Sequence, residues 1–451
     1  MGKLRIDPIL SEAAGFFTRR GKQVFLVGGA VRDLLRGKAA RDWDLATDAR
    51  PEEVTALFRR VIPTGIRHGT VTVRFKGHSI EVTTFRTESA YSDGRRPDAV
   101  AFASTIEEDL SRRDFTINAI ALELPSGRRV DPFDGEGDIR RRLIRCVGEP
   151  ELRFSEDGLR PLRALRFAAQ LDFTIDPPTL AAISGALPVT TRVAPERIRD
   201  ELDRIIASPL PSRAFIPMEK TGCMELLLPE LSACRGIEQK GFHRFDVLDH
   251  SLLACDCAAR CDAPAPVRLA ALFHDIGKPQ TRECNAQGDW TFYRHEGESA
   301  RLTRNILDRY RYPNSVIDSV CHLVGEHMFH YDETWTDAAV RRFIIRVGED
   351  RLGDLYTLRM ADAWATGGIK PPAAFLAPLI DRVEAILAQN RALSLRDLAV
   401  TGRDLMAIGV RPGPTMGIIL NELLETVIDD PDQNTREKLL EIAANLNRRY
   451  Q

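Results

Sequence analysis

Residues 24–48 read VFLVGGAVRDLLRGKAARDWDLATD. The apolar run Val24 to Val27 ends in paired glycines, Gly28 and Gly29. This pattern reads as a strand followed by a turn at which backbone can approach phosphate. A helix-like segment follows, and then Asp42 and Asp44 flank Trp43. Residues two apart share one face of a strand, so the two carboxylates point the same way. They form a hard, oxygen-only donor pair of the kind that suits Mg²⁺. Such a pair beside a phosphate-cradling turn is suited to phosphoryl or nucleotidyl transfer.

The chain has 451 residues, a length that implies roughly two to four domains. It is 43% hydrophobic and 28% charged, which fits a globular protein and excludes a disordered one. No apolar run approaches the roughly 20 residues needed to span a bilayer. The first residues, MGKLRIDPILSEAAGFF, lack the apolar core of a signal peptide, so the expectation is a cytoplasmic protein without membrane contact. The eight cysteines are dispersed. Cys255, Cys257 and Cys261 cluster without a CxxC pair and read as the core of a helix. A net charge of −2 shows no global basic field, yet residues 140–166 hold eight arginines against four acids. A local basic strip on a neutral protein suits a polyanion held in one groove.

Taken in order, residues 1–22 read as one amphipathic helix. Strands are expected at 24–27, 43–46, 70–75, 79–85, 117–123 and 128–131. Between two of them, residues 87–100 (TESAYSDGRRPDAV) read as a long mobile loop beside the site. From about residue 150 the strand signal fades into long helical patterns. The fold class is α+β: a mixed-sheet head at 1–150, then a helical neck at 151–235, a helical body at 236–375 and a helical tail at 376–451.

Further candidate residues lie in the head and neck. In SRRDFTINAIAL (111–122), Arg112 and Arg113 can neutralise phosphate oxygens, and Asp114 and Asn118 can bind a sugar hydroxyl. The turn DPFDGEGD (131–138) reads as structural. In FSEDGLRPLRALRFAAQL (154–171), Asp157, Arg160, Arg163 and Arg166 recur every three residues, near one helix face. An aspartate accepting from an exocyclic amine and an arginine donating to a ring acceptor can together read a base edge. Pro161 has no N–H for the carbonyl of Asp157, so the helix should be irregular or just starting there. In APERIRDELDRII (194–206), Pro195 marks a helix start, and Glu196 and Arg199 are expected to brace the preceding helix.

The ordered set GGAVRD, RDWDLAT, TFRTESAYSDGRRPD, RRDFTINA, DPFDG, EDGLRPLRALRF and ERIRDEL resembles the class II tRNA nucleotidyltransferase and bacterial poly(A) polymerase family, within the polymerase-beta superfamily. The resemblance implies a polymerase-beta-like head and specific roles. Asp42 and Asp44 would hold catalytic Mg²⁺. Gly28, Gly29 and Arg32 would hold the triphosphate, with Arg112, Asp114 and Asn118 on sugar and phosphates. Asp157 and Arg160 would select CTP and ATP, with Arg163 and Arg166 on the same nucleotide-binding face. Glu81 is the nearest candidate for a third carboxylate. The loop at 88–97 would resemble the one used in changing from C to A addition. The implied partners are the tRNA 3′ end, CTP and ATP.

Seven of the nine histidines fall within residues 243–330. The order His250, His274-Asp275, His295, His327, then Asp362 is that of HD-superfamily phosphohydrolases, with LFHDIGKP (272–279) as its clearest piece. This resemblance implies a site of His250, His274, Asp275 and Asp362, with His295 and His327 adding a second metal. Imidazole and carboxylate together suit Mn²⁺, Ni²⁺, Fe or Zn²⁺ better than Mg²⁺. The expected activity is metal-dependent hydrolysis of 2′,3′-cyclic or 2′-phosphates. His322 and His330 are read as non-ligands.

The leading reading is therefore CCA addition to tRNA. Its rivals in the same class are A-only addition and poly(A) polymerase. The segment IPTGIRHGTVTVRF (62–75) resembles the CCA-type form, and the intact 87–100 loop disfavours a CC-only enzyme. Rivals of another class are an HD phosphohydrolase with an RNA-binding N-terminal half and a non-enzymatic RNA chaperone. Paired metal ligands at Asp42 and Asp44 argue against the phosphohydrolase reading.

Overall fold

The computed structural model describes residues 6–40, 42–66, 69–89, 99–239, 244–389 and 394–450. The chain divides into two compact units, one of residues 1–233 with 306–312 and the other of 234–305 with 313–451.

The first unit opens with helix α1 (Pro8–Thr18), shorter than the expected 1–22. Asp7 caps it by accepting from the Ile9 N–H at 2.9 Å, and Pro8 sits where a missing N–H costs nothing. Then come β1 (Val24–Val27), α2 (Gly29–Leu35), β2 (Trp43–Thr47), α3 (Pro51–Leu57), β3 (Val61–Gly65), β4 (Thr70–Phe75) and β5 (His78–Thr84). After β6 (Arg86–Ser89), β7 (Ala99–Phe102) and α4 (Ile106–Ser111), the sheet is completed by β8 (Ala121–Glu123) and β9 (Arg129–Val130). The strand order is β3-β4-β5-β2-β1-β8-β9. Only the β2–β5 pair is parallel, so the sheet is mixed, as expected.

β1 is buried on both faces, which explains its unbroken apolar run. Val24 and Leu26 pack with Leu10, Ala13 and Phe17 of α1 on one side. Phe25 and Val27 pack with Phe85, Ile106 and Leu110 on the other. Full burial of each such side chain contributes about 1.5–3 kcal/mol, so this strand anchors everything that follows it.

Three expectations need correction. Residues 117–123 are not one strand: Thr116–Asn118 form a 3-10 turn and only Ala121–Glu123 extend. The Thr116 hydroxyl donates to buried Asp138 at 2.6 Å, and this polar anchor overrides the apolar pattern. The segment Val61–Gly65 is a strand despite Pro63. It lies at the sheet edge, where a missing donor is tolerated. Residues 87–100 are not wholly a loop, because β6 and β7 pair as an antiparallel ribbon; residues 90–98 between them lie outside the described residues.

Helix α5 (Gly135–Arg141) and β10 (Leu143–Ile144) follow the sheet within the same unit. Then come α6 (Pro150–Glu156), α7 (Arg160–Leu171), β11 (Thr174–Ile175), α8 (Pro177–Thr190) and α9 (Pro195–Ile206). The short parallel pair β10–β11 and a second-unit pair of Glu283–Cys284 with Trp290–Thr291 interrupt what sequence patterning presents as purely helical. Each is two residues long, too short to show a period. The α6–α7 break falls at Asp157, which is extended at φ −143°, ψ 111°. Pro161 accounts for it, as expected. Gly158 is required here: a Cβ would lie 2.5 Å from the Val189 carbonyl oxygen.

Among its described residues, the second unit has no strand apart from that short pair. Helices Val247–Arg260, Ala265–Phe273, Asn314–Glu326 and Leu352–Gly367 surround its core, and Cys255 and Cys257 are buried in the first of them. Toward the C-terminus, Pro414–Asp429 and Arg436–Tyr450 bury Ile419, Leu423, Val427 and Leu439 together. No helix among the described residues is long and apolar enough to cross a membrane.

Candidate active site

The register of the sheet builds the first half of the site. Val27 pairs with Asp44 across β1 and β2, so Gly28, the next residue, turns directly past that carboxylate. Gly28 adopts φ +70°, and a Cβ there would lie 3.2 Å from the Arg113 guanidinium and 3.6 Å from Asp44 Oδ2. Only glycine meets both the backbone and the space. Asp44 lies within β2, and Asp42 precedes the strand in a bend. Both line one cavity of about 540 Å³ with Gly29, Arg32 and Asp33. Asp44 is paired in register with Glu81. Burial, together with the charges of Glu81 and Asp42, pushes the Asp44 carboxyl up to about 6. Closely set anionic oxygens at the wall of a cavity fit a hard divalent cation. Glu81 does not join Asp42 and Asp44 in a three-ligand group within 4.8 Å.

The second half lies across an adjoining cavity of about 450 Å³. It is lined by Gly28, Gly29, Arg32, Asp44, Arg112, Asp114, Asn118, Asp157, Arg160, Arg163 and Arg166. Every nucleotide-site residue singled out in the sequence is therefore brought to one place. A chain of hydrogen bonds links four of them. Arg32 donates to Asn118 Oδ1 at 2.8 Å, Asn118 Nδ2 donates to Asp114 Oδ1 at 3.2 Å, and Arg163 Nε donates to Asp114 Oδ2 at 2.8 Å. Burial alone would raise the Asp114 carboxyl, but the Arg163 charge and these bonds hold it down at about 2. Seven arginines and three aspartates line this cavity, an excess of positive charge that suits a polyphosphate.

At the α6–α7 break, Asp157 and Arg160 are fixed from behind. Asp157 Oδ1 accepts from the Leu159 N–H at 3.0 Å, and its Oδ2 accepts from Arg197 at 3.0 Å. Arg160 is buried and donates to Glu156, to the Arg153 carbonyl at 2.8 Å and to the Arg112 carbonyl at 3.3 Å. An acceptor and a donor thus stand side by side in fixed orientation.

Several contributors are not singled out by sequence pattern. Asp109, fully buried, binds both Arg112 (2.8 Å) and Arg113 (3.1 Å); an acid three and four residues before a pair of arginines was the available signal. Glu196 and Arg199 do not brace α7. Glu196 pairs with Arg311, and Arg199 donates to the Arg311 carbonyl at 2.6 Å. The bracing falls to Arg197, on Asp157, and to Glu201, in a buried ion pair with Arg166 at 2.7 Å. The two faces of an amphipathic helix cannot be assigned until its partner is known. Phe167 is also missed; its ring is flanked by Arg32, Arg163 and Arg166, the last at 4.2 Å.

A second site lies wholly within the second unit. His250, His274 and Asp362 form one group within 4.8 Å, and His274, Asp275 and His327 another. The Nε2 atoms of His250 and His274 are 3.1 Å apart, and those of His295 and His327 are 3.3 Å apart. Asp275 spans the two pairs. Its Oδ2 lies 3.3 Å from His274, and its Oδ1 lies 3.2 Å from His295. The Nδ1 atoms of His274, His295 and His327 bond the carbonyls of Ala271, Phe292 and Val324. Each ring therefore presents Nε2 to the cluster, the arrangement that orients metal ligands. All six side chains are buried, and buried nitrogen and carboxylate donors so crowded fit a transition metal pair. Burial would lower the His274 imidazole, yet Asp275 and Asp362 push it up to about 10, whereas burial and the neighbouring His274 hold the His327 imidazole down at about 3. His322 Nε2 donates to the Val347 carbonyl at 2.7 Å, away from the cluster, and His330 is an exposed residue of the cavity lining.

Comparison with known proteins gives a consistent result along the chain. Residues 24–145 match the Poly A polymerase head domain family, residues 172–234 the RNA and SrmB-binding site of polymerase A, and residues 290–443 the tRNA nucleotidyltransferase domain 2 family. The chain is 34% identical to the CCA-adding enzyme of Levilactobacillus brevis, with 93% of each chain covered. It is 33% identical to that of Geobacillus stearothermophilus, with 96% of each covered. It superposes on the solved structure of the Bacillus stearothermophilus CCA-adding enzyme in complex with CTP with a TM-score of 0.72, at 30% identity over 99% of both chains.

Proposed function

The chain belongs to the family of CCA-adding enzymes, and on that premise we propose that it completes the tRNA 3′ end, adding C, C and A in turn from CTP and ATP. The observation that carries this reading is the shared cavity, whose lining brings Asp44, Asp157, Arg160 and a set of further arginines together. In the reaction the RNA 3′-hydroxyl oxygen bonds to the α-phosphorus, the bond to the β-phosphate oxygen breaks, and pyrophosphate leaves. Asp42 and Asp44 would hold Mg²⁺, which when bound supplies charge neutralisation at the reacting phosphate and a lowered pKa for the attacking hydroxyl. Gly28 and Gly29 leave room for the triphosphate. Arg32, Arg112 and Arg113 offset its charge, and Asp114 with Asn118 orients the sugar.

Base choice follows from donor–acceptor chemistry. Cytosine and adenine each present an amine donor beside a ring-nitrogen acceptor, whereas uracil and guanine present a carbonyl beside an N–H. Asp157 accepts and Arg160 donates, so the pair matches the first two bases and opposes the others. Equilibrium binding tests this: CTP and ATP should compete for one site, and UTP and GTP should bind at least about tenfold more weakly. Equal binding of all four would remove base reading from the cavity.

The Asp44 carboxyl, raised to about 6, makes Mg²⁺ binding pH-dependent. Below that value a proton competes with the cation; above it the site is already ionised. The apparent Mg²⁺ affinity, read from thermal-shift titrations, should fall by up to about tenfold per pH unit below pH 6 and level off above pH 7. A flat profile down to pH 5 would exclude Asp44 as a ligand.

The second site supports a second reading, a metal-dependent phosphohydrolase of the HD type in residues 236–375. The spacing of four imidazoles around Asp275 favours it. The purified protein should carry Mn²⁺, Ni²⁺, Fe or Zn²⁺ and turn over 2′,3′-cyclic or 2′-phosphates. His274→Ala should abolish both properties while leaving CCA addition within about twofold. Metal-free protein without turnover would leave this unit as a scaffold. With the tail at 376–451 and the head and neck at 1–150 and 151–235, this makes four functional parts.

A further inference from the structure

The cavity at the histidine cluster is lined by two unlike kinds of side chain. Its volume is about 950 Å³, enough for a whole nucleotide. Part of the lining is polar and charged: beside the metal-ligand candidates, Lys278 Nζ lies 2.7 Å from Asp275 Oδ2, and an Arg359 terminal nitrogen lies 2.6 Å from Asp362 Oδ2. Three other lining side chains are large, apolar and exposed. Tyr293 is 76% exposed, Met328 59% and Phe375 40%, and all three face this cavity. Tyr293 and its neighbour Phe292, which also lines the cavity, follow the Trp290–Thr291 strand directly.

Large apolar side chains left exposed at a concave site mark a binding surface. Here the surface shares its cavity with cations and carboxylates suited to a phosphate held by metal. The occupant must therefore be flat and apolar at one end and a phosphoester at the other. We propose that Tyr293, Met328 and Phe375 form a shelf for a nucleobase, making this site selective for nucleoside phosphoesters over small phosphoesters that lack a base. The assignment rests on the phosphohydrolase reading of the cluster. In the reaction a water oxygen bonds to phosphorus, the phosphorus–ester oxygen bond breaks, and the departing sugar oxygen takes the water proton. Lys278 and Arg359 offset charge on the phosphate. Tyr293 and Phe375 act only on the base, so their effect belongs in KM and not in kcat.

The test uses the full chain loaded with Mn²⁺ or Ni²⁺, with 2′,3′-cyclic AMP and glycerol 2-phosphate as substrates. Wild type should prefer the nucleotide by at least about tenfold in kcat/KM. The single variants Tyr293→Ala and Phe375→Ala, and the double variant, should raise KM for the nucleotide, by about tenfold or more in the double. Metal content and the rate on glycerol 2-phosphate should stay unchanged. An unmoved KM, or no wild-type preference, would overturn the shelf while leaving the hydrolase standing. Loss of metal in the variants would place these residues in the fold and overturn the shelf as well. No turnover of either substrate by metal-loaded wild type would sink the hydrolase reading and the shelf with it.

Discussion

Asp44→Asn is expected to lower nucleotide incorporation by about a thousandfold or more, with no loss of thermal stability. The two outcomes have one cause. Asp44 sits where burial and the neighbouring carboxylates oppose its charge, and its folded-state pKa is about 6. A carboxyl raised above its unfolded value favours the fold when protonated, and that advantage is lost as pH rises from about 4 to about 6. At neutral pH the ionised group costs the fold on the order of 2–3 kcal/mol without a cation. Asparagine keeps the shape and removes the charge, so the metal-free variant should melt at the same temperature as wild type or a few degrees higher. A residue held for packing would behave oppositely, losing stability and activity together. Matched incorporation assays and melting curves in EDTA check both halves. Retained activity would remove Asp44 from the reaction, and Asp42→Asn should show the same catalytic loss.

Asp157→Asn is the second large effect, and it should change choice more than speed. Asn can keep the Oδ1 acceptor for the Leu159 N–H, now at 3.0 Å, so the turn between α6 and α7 should survive. Its other atom becomes a donor, which suits the carbonyl of uracil and opposes the amine of cytosine. The preference for CTP over UTP should fall by about a hundredfold, measured as a ratio of kcat/KM values on one tRNA. Arg160→Ala should cost more overall, because it removes a buried cation, leaves Glu156 with Arg153 alone, and strips two carbonyls of this donor. Its loss of selectivity is therefore best judged beside Asp157→Asn, which keeps the Leu159 contact and gives up only the Arg197 ion pair. A variant that slows all four nucleotides equally would make Asp157 a structural residue.

Much of this geometry was legible in the sequence, for identifiable reasons. The run Val24 to Val27, the two glycines and the Asp42–Asp44 spacing are local patterns, and the β1–β2 register turned that spacing into a site. The irregularity at Asp157 was legible because proline acts through a fixed covalent constraint. What was not legible depends on tertiary partners. Arg197 rather than Arg199 holds Asp157, and a helix seen alone does not show which face meets its neighbour. Asp109 reads as one acid among several in IEED (106–109) until its burial is seen. Thr116–Asn118 look like strand residues until Asp138 captures Thr116. The apolar shelf in the second unit is dispersed over Tyr293, Met328 and Phe375, a separation that no sequence window contains.

The most direct measurement follows single additions to three tRNA substrates that lack the last three, two or one of their terminal nucleotides, with CTP and ATP supplied separately. One active site with a protein-built base reader should add C to the first, C to the second and A to the third, and then stop. Addition of A alone at every length, or A tails that continue past the third position, would contradict it.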